Sequence, residues 1–223
     1  GKSRVVVEAV ALAGRRGVKC AVTSSVEERA ATPYAAVRPL LVALLGDDVE
    51  PIAAALGDEA PYLPLLAAPL GIPIAETPES RRLDPLFVEQ RRLAVLLAAL
   101  AATVIEPTMI VLEDAHWSDR ASLAVAAAIA AGDELPLTIV VTSRLPAPLP
   151  VGSETWHRVD LAPLGPGPAR ELALAAAGDR ALTDARLDRL VRDAHGNPLF
   201  LRELAVAASS DDVALPDSAD EVI

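Results

Sequence analysis

The chain has 223 residues, of which 52% are hydrophobic and only 3% aromatic, and its formal net charge is −11. This composition predicts one large α/β domain, with or without a small helical annex, and its acidity argues against a surface that binds nucleic acid or anionic membranes. One cysteine, Cys20, indicates a reducing, cytoplasmic compartment. The longest uncharged apolar run, residues 93–105, is shorter than the roughly 20 residues that cross a bilayer.

In the first half of the chain, a single strand is predicted among helices. Apolar periodicity that ends at Gly17 predicts a helix from Ser3, and a strand follows over residues 18–23. Beyond this strand, helices are predicted over residues 34–45, 49–56 and 59–68, then a loop rich in proline and charge over 69–85, and a long helix over 86–103.

The second half begins with an apolar strand, residues 109–112, that ends at an acid pair. Ser118 and Asp119 are predicted to cap a helix over 121–131, and the β-branched run 137–142 is predicted to be a central parallel strand buried on both faces. A last strand is predicted over 158–161, followed by helices over 168–177, 184–195 and 199–208. Alternating strands and helices favour a parallel sheet, and the final helices favour an appended bundle.

The chain starts with Gly1-Lys2-Ser3, which runs directly into the first predicted helix. Gly-Lys-Ser before a helix is typical of the end of a phosphate-binding loop, in which Lys2 reaches the β- and γ-phosphates and Ser3 binds Mg²⁺. The same residues also fit an ordinary helix start with a solvated lysine. Because such a loop follows a strand, we expect the chain to be a piece of a longer polypeptide whose first strand precedes Gly1.

Glu113 and Asp114 close the apolar strand of the second half. Ligands bind at the carboxyl ends of strands in open α/β sheets. Because neighbouring side chains on a strand point to opposite faces, we expect one acid to hold magnesium and the other to orient or deprotonate an attacking water. The alternative is a pair of solvated acids at a strand exit.

Two later segments are also candidates for a nucleotide site. Arg144, in Thr142-Ser143-Arg144, follows a predicted strand and could meet a γ-phosphate through two hydrogen bonds, although a solvated loop arginine is the alternative. Gly196-Asn197-Pro198 is first of all a helix stop, and the ring of Pro198 could also pack on a nucleotide base. Metal-ligand spacing or a nucleophile partner is not evident for the remaining candidates, which are His116, His157, His195 and Cys20.

The segment Val111-Leu112-Glu113-Asp114-Ala115-His116-Trp117-Ser118-Asp119 resembles the L-E-D-x-H-W-A-D Walker B signature of the AAA-type ATPase domain in the signal-transducing STAND NTPases. That group includes large ATP-binding regulators of the LuxR type, relatives of the maltose regulator, and ATPase modules that follow bacterial nucleotide-cyclase domains. The resemblance continues in the same order through residues 33–41, 142–144 and 196–204, and it covers nearly the whole chain.

This resemblance implies an α/β P-loop NTPase fold of three layers, with a parallel sheet whose first strand is missing and a small helical subdomain after it. The strand ending at Thr142 would lie between the missing strand and the Walker B strand. The implied domains are a P-loop core at 1–163, a helical subdomain at 164–208 and a tail at 209–223. The resemblance assigns Gly1, Lys2 and Ser3 to Walker A, Glu113 and Asp114 to Walker B, Arg144 to the first sensor and Pro198 to the G-x-P motif that contacts adenine.

Ser3 and Glu113 would then bind Mg²⁺, although the glutamate at the first Walker B position, where the family more generally has aspartate, leaves the roles of the two acids open. The function implied is an ATP-binding, slowly hydrolysing switch in a multidomain bacterial signalling or transcription regulator. Its partners would be ATP or ADP, other domains of the same polypeptide and, depending on the nucleotide, a second copy. The alternatives are a non-catalytic P-loop scaffold and an AAA+ remodelling ring, for which Arg120 is the only nearby arginine-finger candidate.

Overall fold

A computed structural model describes residues 1–132, 135–145, 149, 156–178 and 182–209. It divides into two compact units: the sheet unit, Val5–His157, and the helical unit, made of Gly1–Arg4 and Arg158–Ile223. A search of the described residues finds no helix with the length and apolar character that a membrane span requires. In chain order the elements are α1 (Lys2–Arg15), β1 (Lys19–Ser24), α2 (Arg38–Leu45), α3 (Val49–Leu56), α4 (Ala67–Leu70), α5 (Pro78–Arg81), α6 (Val88–Thr103), β2 (Thr108–Glu113), α7 (Arg120–Ala131), β3 (Leu137–Val141), α8 (Pro166–Ala177), α9 (Asp184–Asp193) and α10 (Pro198–Ser209).

The sheet unit contains a parallel sheet of three strands in the order β1-β2-β3. β2 is the middle strand and is buried up to its last residue, because its side chains are apolar on both faces. The α/β fold and the pairing of β3 with β2 are as predicted. The predicted burial of β3 on both faces is wrong: Thr138 is exposed and the rest of the strand is half-buried, since β2 is its only strand partner in the described part of the chain.

The sheet lies between two layers of helices. On one face, Val6 of α1 packs with Met109 and Val111 of β2. On the other face, Ile110 joins the large cluster formed by α2, α3, α6 and α7, whose members include Leu41. The alternation of side chains along β2 therefore gives each helical layer its own core, which confirms the three-layer arrangement.

Several predicted boundaries move for local reasons. The helix predicted from residue 34 begins at Arg38, because Tyr34 has a positive φ of 62° and belongs to a turn. The helix predicted over 59–68 is a 3₁₀ helix over Gly57–Leu66, which contains Pro61 and Pro64 and so lacks the backbone donors of an α-helix. The loop predicted over 69–85 includes the short helix α5.

The strand predicted over residues 158–161 is wrong, because this segment is irregular. Its two apolar side chains cover no core: Val159 is 74% exposed and Leu161 is 47% exposed. Arg158 forms an ion pair with Asp160 at 2.8 Å instead. Alternating apolar residues make a strand only where a neighbouring strand accepts the backbone hydrogen bonds.

In the helical unit, α8, α9 and α10 pack around small and aliphatic side chains such as Ala173, Leu190 and Leu201. Thr183 caps α9 by accepting a hydrogen bond from the Arg186 amide at 3.3 Å. The three helices lie within about two residues of their predicted bounds, since each has a clear start or stop signal in the sequence.

Candidate functional site

The acid end of β2 carries the first predicted site residue, Glu113. Residues 108–112 of the strand are buried, whereas Glu113 is half-buried. Its carboxylate Oε1 is buried and has no hydrogen-bond partner among the described residues, while its carbonyl oxygen accepts the Ser25 amide at 2.9 Å. A buried carboxylate oxygen without a partner is costly, so the local geometry favours a cation or donor supplied by a ligand.

Asp114 begins a tight turn, residues 114–118, which we call the acid turn. Its backbone is left-handed, with φ 50° and ψ 44°, a conformation that costs a residue other than glycine about 1 to 2 kcal/mol. The Asp114 amide donates to the Thr142 hydroxyl at 3.1 Å, and the Ala115 amide donates to the Thr142 carbonyl at 2.8 Å. Thr142, the residue after β3, thus holds the acid turn by two hydrogen bonds, and the side chain of Asp114 remains 40% exposed.

His116 lies beside Asp114, a position that its spacing in the sequence did not indicate. Its side chain is only 6% exposed, and within the described ranges neither ring nitrogen has a hydrogen-bond partner. Nδ1 is 4.0 Å from Asp114 Oδ1, which is too long for a hydrogen bond. The imidazole therefore has polar capacity that a bound ligand or water could use.

Arg144 follows β3 closely. The Thr142 amide extends the strand ladder by donating to the Leu112 carbonyl at 3.0 Å, and Arg144 comes two residues later. Arg144 is exposed and makes no ion pair in the part of the chain that the structure describes. The structure thus brings Glu113, Asp114 and the segment that carries Arg144 to the carboxyl ends of adjacent parallel strands.

Asp119 joins the acid turn to the loop after β1. Its carboxylate accepts the Tyr34 amide at 2.8 Å, the Ala36 amide at 3.5 Å, and both the amide and the hydroxyl of Ser122 at 2.9 and 2.5 Å. Burial alone would raise the pKa of Asp119, but these hydrogen bonds outweigh it and hold the pKa below its ordinary value. Asp119 was predicted as a helix cap; its bonds to the loop depend on the tertiary fold and carry no local sequence signal.

The loop held by Asp119 is also fixed through the Tyr34 side chain. Its hydroxyl donates to Glu89 at 3.3 Å and accepts from Arg92 at 3.1 Å. Burial raises the pKa of Tyr34, and the positive charge of Arg92 only partly opposes this shift. Burial lowers the pKa of Arg92, but the hydrogen bond to Glu89 and the other contacts raise it overall. The side chains of Tyr34, Glu89 and Arg92 are hydrogen-bonded to one another, so we assign them a structural role.

Lys2 and Ser3 lie in the first turn of α1, where the Arg4 amide donates to the Gly1 carbonyl at 3.1 Å. Lys2 is half-buried and Ser3 is exposed, and neither side chain makes a hydrogen bond or ion pair to another described residue. These residues belong to the helical unit, as does Pro198, whereas the acids and Arg144 belong to the sheet unit. Their assignment to one nucleotide therefore depends on the sequence motifs.

Pro198 starts α10 and is the last residue of a turn, residues 195–198, which we call the glycine turn. Gly196 has φ 75°, and a Cβ added there would lie 2.7 Å from both the Leu164 carbonyl oxygen and the Pro163 Cβ. The Leu164 amide donates to the Gly196 carbonyl at 2.8 Å, and Asn197 Oδ1 caps α10 by accepting the Leu199 amide at 3.0 Å. Packing and capping account for this turn.

The acid end of β2 fits Mg²⁺ held together with a nucleotide. The described residues contain no group of three or more His, Cys, Asp or Glu side chains that could enclose a metal. Mg²⁺ usually takes only one or two protein carboxylates, and its other ligands are waters and substrate phosphates. The unpartnered oxygen of Glu113 matches that chemistry.

A family model described as "AAA ATPase domain" matches residues 1–142. The match includes Gly1-Lys2-Ser3 at its start and the complete acid turn, and it ends at Thr142. Searches of curated proteins and of solved structures found no significant match to the chain.

Proposed function

The chain belongs to the AAA ATPase domain family, and on that premise we propose that it is an ATP-binding, slowly hydrolysing switch domain of a multidomain bacterial signalling or transcription regulator. Nucleotide binding is the function of the family. The finer proposal, a STAND-type NTPase of the LuxR-regulator kind, rests on the order of the motifs along the chain. We further propose that it acts in the cytoplasm, with a core at 1–163, a helical subdomain at 164–208 and a tail at 209–223.

The observation that carries the ATPase proposal is the acid end of β2. Glu113 presents a buried oxygen without a partner, and Asp114 is held in a strained conformation with its side chain open to solvent. Strain of this kind persists where the surroundings over-determine it, and it concentrates at functional sites. A pair of merely solvated acids would need neither the burial nor the strain.

We assign each residue the role that the order of the sequence motifs gives it. Lys2 binds the β- and γ-phosphates, and Ser3 and Glu113 hold Mg²⁺, which when bound polarises the phosphoryl group. Asp114, the residue after Glu113, orients the water that attacks the γ-phosphate. Arg144 contacts the γ-phosphate and Pro198 packs on adenine.

We propose that the nucleotide controls the state of the domain through Arg144 and Pro198. ATP offers a γ-phosphate to Arg144, and ADP does not, so only ATP favours the conformation in which both residues contact the ligand. Hydrolysis removes that contact and returns the domain to its ADP state. Other domains of the polypeptide, or a second copy, would read the difference.

ATP turnover of the full-length protein and its Lys2→Ala variant tests the ATPase proposal. We expect Lys2→Ala to weaken ATP binding by at least about tenfold, because phosphate charge is then left uncompensated. Lys19→Ala is a matched control, since Lys19 forms an exposed ion pair with Glu106 at the amino end of β1. Equal ATP affinity in all three proteins would support the non-catalytic scaffold instead.

The variants Asp114→Asn and Glu113→Gln distinguish the roles of the two acids. We expect Asp114→Asn to bind ATP but lose hydrolysis by about a hundredfold or more, whereas Glu113→Gln should need more magnesium for the same rate. The reverse pattern would show that the roles are exchanged.

Arg144→Ala should narrow the difference between ATP and ADP affinity, and Arg81→Ala, at an exposed ion pair with Glu76, is its control.

A further inference from the structure

Thr142 binds the acid turn with both its main chain and its side chain. Its carbonyl accepts the Ala115 amide at 2.8 Å, and its hydroxyl accepts the Asp114 amide at 3.1 Å. Its own amide donates to the Leu112 carbonyl at 3.0 Å, so Thr142 is bonded to the chain both before and after Glu113. In the sequence, this segment stood out because of Arg144.

The hydroxyl matters because of the conformation of Asp114. At φ 50° the Asp114 amide leaves the strand ladder, and the Thr142 side chain is the group that satisfies it. Without this acceptor the amide must find water or the turn must relax towards a right-handed conformation, which any residue other than glycine prefers. Either change would redirect the Asp114 carboxylate.

We propose that Thr142 is a positioning residue that holds Asp114 in its left-handed conformation and so sets the direction of the carboxylate for ATP hydrolysis. The proposal rests on the ATPase function proposed above. It adds a physical link between β3, which leads to Arg144, and the acid that orients water.

Removal and restoration of the hydroxyl tests this role. Thr142→Val keeps the shape of the side chain without the acceptor, and Thr142→Ser keeps the acceptor. We expect Thr142→Val to lower kcat at least about tenfold with KM for ATP within about twofold, because a small misorientation affects the reaction and leaves binding intact. Thr142→Ser should stay close to the wild type.

The matched control is Thr108→Val at the other end of β2. Thr108 is a buried threonine, and its hydroxyl donates to the Glu106 carbonyl at 3.0 Å, far along the strand from the acids. We expect this variant to leave kcat unchanged. An equal loss of kcat in Thr108→Val and Thr142→Val would mean that general loosening of the sheet is responsible, and would overturn the proposal.

Amide hydrogen exchange gives a second readout in the nucleotide-free protein. Thr142→Val should speed exchange of the Asp114 amide by at least about tenfold, and Thr142→Ser should restore its protection. Combination with Asp114→Asn should add no further loss of kcat, since Thr142 acts through Asp114.

The outcomes distinguish this proposal from the function on which it rests. A wild type without Lys2-dependent hydrolysis would refute the ATPase function and the role of Thr142 with it. A wild type that hydrolyses ATP, together with a Thr142→Val variant of equal kcat and equal Asp114 exchange, would overturn the Thr142 proposal alone.

Discussion

The acid turn and the glycine turn both use left-handed backbone, but they are held in different ways. In the acid turn an aspartate occupies a conformation in which glycine would be less strained, and Thr142 holds it there. In the glycine turn, Gly196 fills a place where no Cβ fits. His195 before it also has a positive φ, 47°, but its ring meets the Asp193 carbonyl at 2.9 Å. The strain at Asp114 lies at the predicted site, whereas packing explains the place of Gly196.

The largest expected change in stability concerns Gly196 and tests whether packing explains the glycine turn. Gly196→Ala should lower the free energy of unfolding by about 3 kcal/mol, because its Cβ would meet Leu164 and Pro163 at 2.7 Å and its backbone would be strained. Urea unfolding measures this. Gly167→Ala in α8, where a Cβ meets no atom within 4 Å, should not destabilise the protein. Equal stability of the two variants would remove the packing explanation.

The second prediction concerns Asp119, which directly follows the acid turn. Asp119→Asn should lower the free energy of unfolding by about 2 kcal/mol at pH 7, since an amide replaces one of two accepting oxygens. The folded-state pKa of Asp119 is depressed, so its contribution is full above the unfolded value of about 3.9 and is lost as pH falls through the folded value. The stability difference between the variant and the wild type should therefore shrink below about pH 4; a constant difference would contradict the cause given for the shift.

Pro198 tests whether the glycine turn has a structural role alone, because we propose that this residue of the turn also contacts the nucleotide. Pro198→Ala should weaken ATP and ADP by a similar factor, up to about tenfold, since the base is common to both nucleotides. If Pro198 only starts α10, the variant would lose about 1 kcal/mol of stability and bind both nucleotides normally. Titration of each nucleotide, with the unfolding curve measured in parallel, decides between these results.

The smallest expected change in stability concerns Asp114, in the acid turn. Asp114→Gly should raise the free energy of unfolding by about 1 kcal/mol, because glycine adopts the left-handed conformation without strain, and it should abolish hydrolysis. A gain in stability with a loss of activity is the signature of a residue kept for function. Destabilisation by this change would mean that the Asp114 side chain itself stabilises the turn.

Local patterns predicted the elements that local forces determine. β2 could be predicted because its run of apolar side chains admits burial on both faces, and α7 because its capping residue, Asp119, directly precedes it. The acid pair was predicted as a site because it interrupts an otherwise apolar strand. These signals are contained in a few consecutive residues.

Long-range contacts explain what the sequence did not predict. The turn at Tyr34 depends on Asp119, 85 residues away in the sequence, and the anchoring of Asp114 depends on Thr142, 28 residues away. The predicted strand at 158–161 had the right alternation but no strand beside it. The burial of His116 beside the acids likewise appears only when the turn is folded.

The order of β1 and β2 also bears on how the chain folds. Lys19 pairs with Thr108, so the segment that contains α2 to α6 is a long loop that the pairing of β1 with β2 must close. In α8 to α10, by contrast, all the contacting helices lie within the short segment Pro166–Ser209. Because closure of a long loop slows folding, the sheet unit should set the refolding rate, while α8 to α10 collapse early.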